Sequence, residues 1–279
     1  MNARKAKHGW IWTTFFAAVS LAWIFPIVLV LVNSFKKKVY ISRDPFSLPV
    51  GKMFVGIENY ISGIEKTGLI QALGCSVFIT VFSVAAIILF CSMTAWYITR
   101  VKSKVTSGIY YLCLFSMIVP FQMVMYTLSK IANMLHLGNP VGIIVVYLGF
   151  GAGLAIFMFT GFCKSIPLEI EEAAMIDGCN PLQTFFGVVM PIMKPTCITV
   201  TILQAMWIWN DYLLPSLVLD QRKYKTLPIA VQYLKGGYGS VDMGAMMGVL
   251  VIAIIPIIIF YAACQKYIIE GVVAGAVKG

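Results

Sequence analysis

Six apolar stretches divide this chain, at about 10–32, 69–98, 106–128, 141–162, 196–219 and 243–267, each long enough to cross a bilayer. In hydrocarbon every backbone N–H and C=O must be satisfied within the segment, and an α-helix does this alone. The expected fold class is therefore all-α: a polytopic membrane protein with six transmembrane helices forming a single transmembrane domain over 1–279. Charged residues make up only 11% of the chain, against roughly 25% in soluble domains. Mean hydropathy is +0.89. No interval between spans has room for a large soluble catalytic domain. The first stretch is too long for the apolar core of a signal peptide and lacks a small-residue cleavage site, so it reads as a retained helix. Trp10 and Trp12 lie near its end, where indole rings suit the membrane interface.

The interval at 164–195, KSIPLEIEEAAMIDGCNPLQTFFGVVMPIMKP, looks built as a small folded unit outside the membrane. Pro167 suits a helix start, where its missing N–H is not needed. Glu169, Glu171 and Glu172 sit early, near the positive end of the helix dipole. Gly178 is placed to end that helix in a left-handed conformation. Asn180 then caps a second helix, with Pro181 at its first position and Gln183 completing a capping box. An amphipathic hairpin lying on the membrane surface is one reading of this unit.

The other reading comes from spacing. Glu172-Ala173-Ala174, then Asp177-Gly178, then a hydrophobic run to Pro191, resembles the EAA loop of bacterial ABC-importer permeases. The resemblance extends along the chain in family order. Asn33-Ser34-Phe35-Lys36, Glu58-Asn59-Tyr60, Trp209-Asn210-Asp211 with Pro215, Thr226-Leu227-Pro228 and the closing Glu270 to Gly279 are similar to the sugar permeases, in particular the second permease of maltose-type transporters. The resemblance implies a type I importer permease fold with a cytoplasmic EAA helix pair. It implies a carbohydrate ABC importer in which this chain forms a heterodimer with a second permease subunit. Two ATP-binding subunits bind below, and an extracellular or periplasmic solute-binding protein delivers sugar above. It assigns ATPase coupling to Glu169, Glu172, Ala173, Ala174, Asp177, Gly178 and Pro191, and to Lys278 and Gly279 of the tail. It assigns binding-protein contact to the loop holding Gln232, Gly236, Gly237 and Tyr238. It also places the chain in the bacterial cytoplasmic membrane with both termini inside.

Charge does not decide that orientation. With the N-terminus inside, ten of the 21 basic residues face the cytoplasm and eleven face out, so the positive-inside rule is neutral. Basic residues scattered on both sides of a membrane argue against nucleic acid as a partner.

The fifth span carries Trp209, Asn210 and Asp211. A carboxylate at that depth must face protein, water or substrate. It belongs either to an interfacial aromatic belt with a solvated acid or to a gate on the translocation pathway; indole faces and amides suit sugars chemically. Gly149-x-x-x-Gly153 reads as close helix packing. Pro120 reads as a kink in the third span.

No catalytic residue, metal site or cofactor is expected. His8 and His136 stand apart from any ligand set, the seven cysteines contain no CxxC pair, and no G-x-x-x-x-G-K-[ST] phosphate loop occurs. ATP hydrolysis is therefore expected in a partner. The alternatives are an ABC permease for another solute, such as a polyol or glycerol phosphoester, and a self-sufficient secondary transporter. The latter lacks the buried coupling charges and internal repeat it would need.

Overall fold

The computed structural model describes residues 9–234 and 241–276, with side chains as far as Tyr267. The apolar stretches fold as helices. In chain order the elements are α1 (Gly9–Asn33), α2 (Lys38–Arg43), α3 (Glu58–Thr67), α4 (Leu69–Arg100), α5 (Lys104–Ile118), α6 (Phe121–Met134), α7 (Pro140–Cys163), α8 (Leu168–Ile176), α9 (Pro181–Thr184), α10 (Met190–Ile192), α11 (Lys194–Asn210), α12 (Leu213–Val218), α13 (Leu227–Gln232) and α14 (Met243–Ala276). Four are long and apolar enough to cross a membrane unaided: α1, α4, α7 and Met243–Tyr267 of α14. Two bent pairs, α5 with α6 and Pro181–Ile192 with α11, raise the number to six when each counts as one span.

Both bends fall where the sequence removes backbone hydrogen bonding. The stretch 106–128 is not one kinked helix. Pro120 lacks an N–H and pushes the residue before it out of the helical region, and Val119 is extended (φ −74°, ψ 116°). Helices α5 and α6 consequently meet at 110°. The stretch 196–219 is also interrupted. Helix α11 ends at Asn210, and Asp211 turns extended (ψ 120°) before α12 begins.

The chain forms two compact units. One runs to Leu69 and is completed by Ala230–Pro256; the other is Ile70–Ile229 with the chain from Ile257 onward. In the first unit, the loop after α1 is more regular than its prolines and glycines suggest, because two short motifs lock together. Asn59 Nδ2 donates to the carbonyls of Ser34 at 2.8 Å and Lys36 at 2.9 Å. Ser34 Oγ and Tyr60 OH share a 2.6 Å hydrogen bond. The Phe35 ring lies 5.4 Å from that of Tyr60. Lys36 is fully buried, with Nζ donating to the carbonyls of Asp44 (2.9 Å) and Pro45 (3.2 Å). Burial pulls its pKa below the ordinary lysine value, and nearby Asp44 partly offsets this. Helix α3 then packs on the start of α14. A Cβ at Gly63 would stand 2.6 Å from Val249 Cγ2, so only glycine permits this approach.

The second unit holds the main apolar core. Ile79, Ile87, Cys91 and Ala95 of α4 meet Ile143, Tyr147, Ala155 and Phe159 of α7, with Val200, Ala205 and Ile208 of α11. Asn139 starts α7 by accepting hydrogen bonds from the N–H groups of Val141 and Gly142 at 3.1 and 2.9 Å, with Pro140 at the first helical position. Half of the Gly149-x-x-x-Gly153 pattern acts as expected: a Cβ at Gly153 would strike Ser116, Met117 and the Cys113 carbonyl of α5, whereas Gly149 has open space. Gly151, outside the pattern, abuts Ile87.

Candidate functional site

The interval at 164–195 folds as a helical hairpin. Pro167 stands at the N-cap of α8, one position earlier than its preferred place inside the first turn. Gly178 adopts φ +89°, and its N–H reaches the Met175 carbonyl at 3.0 Å. Asn180 and Gln183 form the reciprocal capping box of α9, at 2.9 and 2.8 Å. A π-helical turn follows at Phe185–Val189, before Pro191. A proline N–H is absent and its ring crowds the carbonyl four residues back, so a widened turn suits this position.

Helix α8 sorts its acids by face. Glu171 and Ala174, three apart, point inward and are buried. Glu169, Glu172, Ala173 and Ile176 share the outer face and are exposed, as are Asp177, Gly178 and Pro191 around the hairpin. Ala174 is thus the one coupling candidate of this hairpin that supports α8 from within.

The inward carboxylate is the most strongly bonded side chain of the unit. Glu171 is 1% exposed. Arg100, the last residue of α4, donates from Nη2 to Glu171 Oε1 at 2.6 Å and from Nε to both carboxylate oxygens at 3.0 and 3.1 Å. Trp96, one turn earlier on α4, donates from Nε1 to Oε2 at 2.9 Å. Arg100 also donates to the Ile166 carbonyl at 3.0 Å. The Trp96 ring packs 5.4 Å from the ring of buried Phe185. Two residues of α4 therefore grip both arms of the hairpin. Sequence reasoning named Glu169 and Glu172 and passed over Glu171. The available signal was its i, i+3 register with Ala174, together with an arginine closing a long apolar span.

In the fifth span the structure gives Asp211 a structural bond set. Its Oδ1 accepts from the N–H groups of Leu213 (2.9 Å) and Leu214 (3.3 Å), capping α12. Tyr147 of α7, wholly buried, donates to Oδ2 at 3.1 Å. Trp207 packs edge-on against Tyr147 at 5.5 Å. Asn210 is exposed and bonds back to the Met206 carbonyl, and Trp209 is half-buried. Gln232 closes α13 and is half-buried. Gly236, Gly237 and Tyr238, and the tail residues Lys278 and Gly279, lie outside the described residues.

Residues 87–273, from within α4 through the hairpin and into α14, match the family described as the binding-protein-dependent transport system inner membrane component. The chain belongs to this family. A probable starch degradation products transport system permease protein of Thermoanaerobacterium thermosulfurigenes is 40% identical over 93% of both chains. A multiple sugar-binding transport system permease protein of Streptococcus mutans is 32% identical over 99% of both. A melibiose/raffinose/stachyose import permease protein of Bacillus subtilis is 30% identical over the full length of both. Among solved structures, a crystal structure of a bacterial ABC transporter involved in import of the acidic polysaccharide alginate matches with a TM-score of 0.77. It is 22% identical, over 93% of this chain and 95% of that one, and establishes the type I permease fold. This inner membrane component is accordingly a multi-pass transport permease and not an enzyme. The hairpin and its α4 anchor both fall within the family match.

Proposed function

We propose that this permease forms half of the translocation pathway of an ATP-driven carbohydrate importer, with the α8–α10 hairpin as the seat of its ATP-hydrolysing partner. The observation that carries this reading is the division of α8 into a locked inner face and an exposed outer one. Glu169, Glu172, Ala173 and Asp177 offer charges and close approach, and exposed Leu168, Met175, Ile176, Leu182 and Phe186 around them add apolar surface. Protein–protein hot spots combine such apolar anchors with a polar rim. Gly178 sets the angle of the hairpin, and Pro191 lies in its last short helix, α10.

In this reading the hairpin moves when the ATPase dimer closes. Glu171 passes the displacement to Arg100 and Trp96, and so to α4. A change of state requires that nucleotide bind the two conformations differently; the rigid ion pair is what conveys that difference into the spans. Trp209, Asn210 and Asp211 are assigned to the gate, with the α11–α12 break as its moving part. A second permease subunit completes the pathway, two ATPases dock on the hairpins, and a solute-binding protein engages the loop bearing Gln232, Gly236, Gly237 and Tyr238. Lys278 and Gly279 are assigned to the ATPase interface, both termini lie in the cytoplasm, and 164–195 is the cytoplasmic coupling loop of a single six-span domain. Relatives named for starch degradation products and for melibiose, raffinose and stachyose support an oligosaccharide substrate.

The test is uptake in proteoliposomes holding the complete complex. Labelled oligosaccharide is expected to accumulate only with internal ATP and the external binding protein. Accumulation of a polyol or glycerol phosphoester instead would move the substrate class. Uptake driven by an ion gradient without ATP would overturn the importer assignment.

A further inference from the structure

A cavity of about 520 Å³ opens between the end of α4, the start of α5 and the end of α7. Arg100, Lys102 and Lys164 line it, with Ser107 and Tyr110. A second depression shares Lys102 and Ser107 and adds Lys104. Glu171 already neutralises Arg100 at 2.6 Å. Lys102, Lys104 and Lys164 form no salt bridge among the described residues. Lys164 instead lies 5.7 Å over the Tyr110 ring. The cavity therefore carries net positive charge at one end of the membrane-spanning helices.

Two further features say what fits. Thr160 of α7 lines the same cavity; it is 2% exposed, and its hydroxyl has no hydrogen-bond partner. A buried hydroxyl left unpaired is costly, and an incoming acceptor oxygen satisfies it. A ligand that carries oxygens as well as negative charge suits both features. From the cavity-lining Tyr111, α5 continues exposed and apolar through Phe115 and Ile118, at helical spacing on the same side. An anion that binds the cavity and continues along that face has a charged head and hydrocarbon chains.

We propose that the cavity binds the phosphate of an anionic phospholipid, with its acyl chains lying along α5. Basic pockets between membrane helices near the headgroup level bind such lipids. The lysines attract the phosphate, Thr160 and Ser107 donate to its oxygens, and the site works on whichever side of the membrane this end lies. It does not depend on the transported solute.

The test uses the complete transporter complex, stripped of lipid in detergent and then exposed to dioleoylphosphatidylglycerol or dioleoylphosphatidylcholine. Bound lipid is counted by native mass spectrometry. Wild type is expected to retain the glycerol lipid over the choline lipid. Lys102→Ala and Lys164→Ala are each expected to weaken retention about fivefold, and Thr160→Val to weaken it without altering charge. Lys194→Ala, outside the cavity, is expected to change nothing. Equal retention of both lipids by wild type overturns the proposal, as does unchanged retention by the Lys102→Ala/Lys164→Ala pair. Inorganic phosphate bound at the cavity in place of lipid also overturns it and marks a soluble anion as the occupant. Should the double variant fail to assemble, the wild-type preference and Thr160→Val decide.

Discussion

Glu171 is a carboxylate with almost no access to water, yet every bond it makes is to a donor suited to it. Its partner Arg100 presents a planar fork, which matches both carboxylate oxygens. The pair is better understood as a rigid link than as a source of net stability, because desolvation offsets much of the attraction. Removing one partner is different, since it strands the other charge. Glu171→Ala is expected to cost about 3–5 kcal/mol, read from thermal unfolding of the purified complex. The Glu171→Met/Arg100→Met double variant is expected to recover most of that loss in stability while transport stays impaired. Full transport in the double variant would show that the link carries no motion. A second ion pair behaves differently. Asp242 sits 2.5 Å from Lys66, and both are partly exposed. The hydrogen bond from Lys66 holds the Asp242 carboxyl below its ordinary value, with help from the Ala245 N–H that it caps. A depressed carboxylate pKa adds stability above the unfolded value of about 3.9 and loses it as pH falls through the lower folded one. Protection of the first amides of α14, measured against their intrinsic exchange rates, is thus expected to fall under acid conditions below about pH 4. Asp242→Asn is expected to remove that pH dependence, by no more than about 1 kcal/mol for so exposed a pair.

At the scale of elements, the informative features are the breaks. Gly178 holds a left-handed conformation at the corner of the hairpin. Gly178→Ala is expected to cost about 1–2 kcal/mol and leave the hairpin formed. Gly178→Pro removes the N–H bonded to Met175 and demands a negative φ, so α8 and α9 are expected to lose their relative angle. Protease sensitivity confined to 164–195 measures this. Gly153→Val is expected to force α5 off α7 at a cost of about 1–3 kcal/mol, seen as a lowered unfolding temperature. The capping box of Asn180 and Gln183 and the turn at Gly178 were legible because each depends on neighbours in sequence. The 110° turn at Pro120 was legible only as a kink, since a proline marks where a helix stops and tertiary packing sets where the next one goes. The short helices between α1 and α4 were hidden for the same reason. Asn59 and Tyr60 gain their meaning from Ser34 and Lys36, more than twenty residues away.

For the whole molecule, periodicity and apolar length sufficed to give helices that cross a membrane, and spacing of short motifs sufficed to give the family. The internal wiring did not follow from either. Glu171 reads in sequence as one more acid in a charged first turn; its register with Ala174 sets it apart from Glu169 and Glu172, but its bonds to Arg100 and Trp96 exist only once α4 is beside it. Asp211 reads as a costly intramembrane charge, and its capping bonds and Tyr147 appear only in the fold. The chain that emerges has an exposed hairpin tied by a buried ion pair to a long span, the arrangement through which the proposed ATPase would act on the membrane helices. The central claim is that an ATPase sits on that hairpin. Its most direct measurement is copurification from mild detergent of wild type, Glu172→Lys and Gly178→Pro, each checked for membrane insertion. The account predicts an ATPase bound to wild type and lost from both variants. An ATPase retained by both variants, or absent from wild type under conditions that preserve membrane complexes, would contradict it.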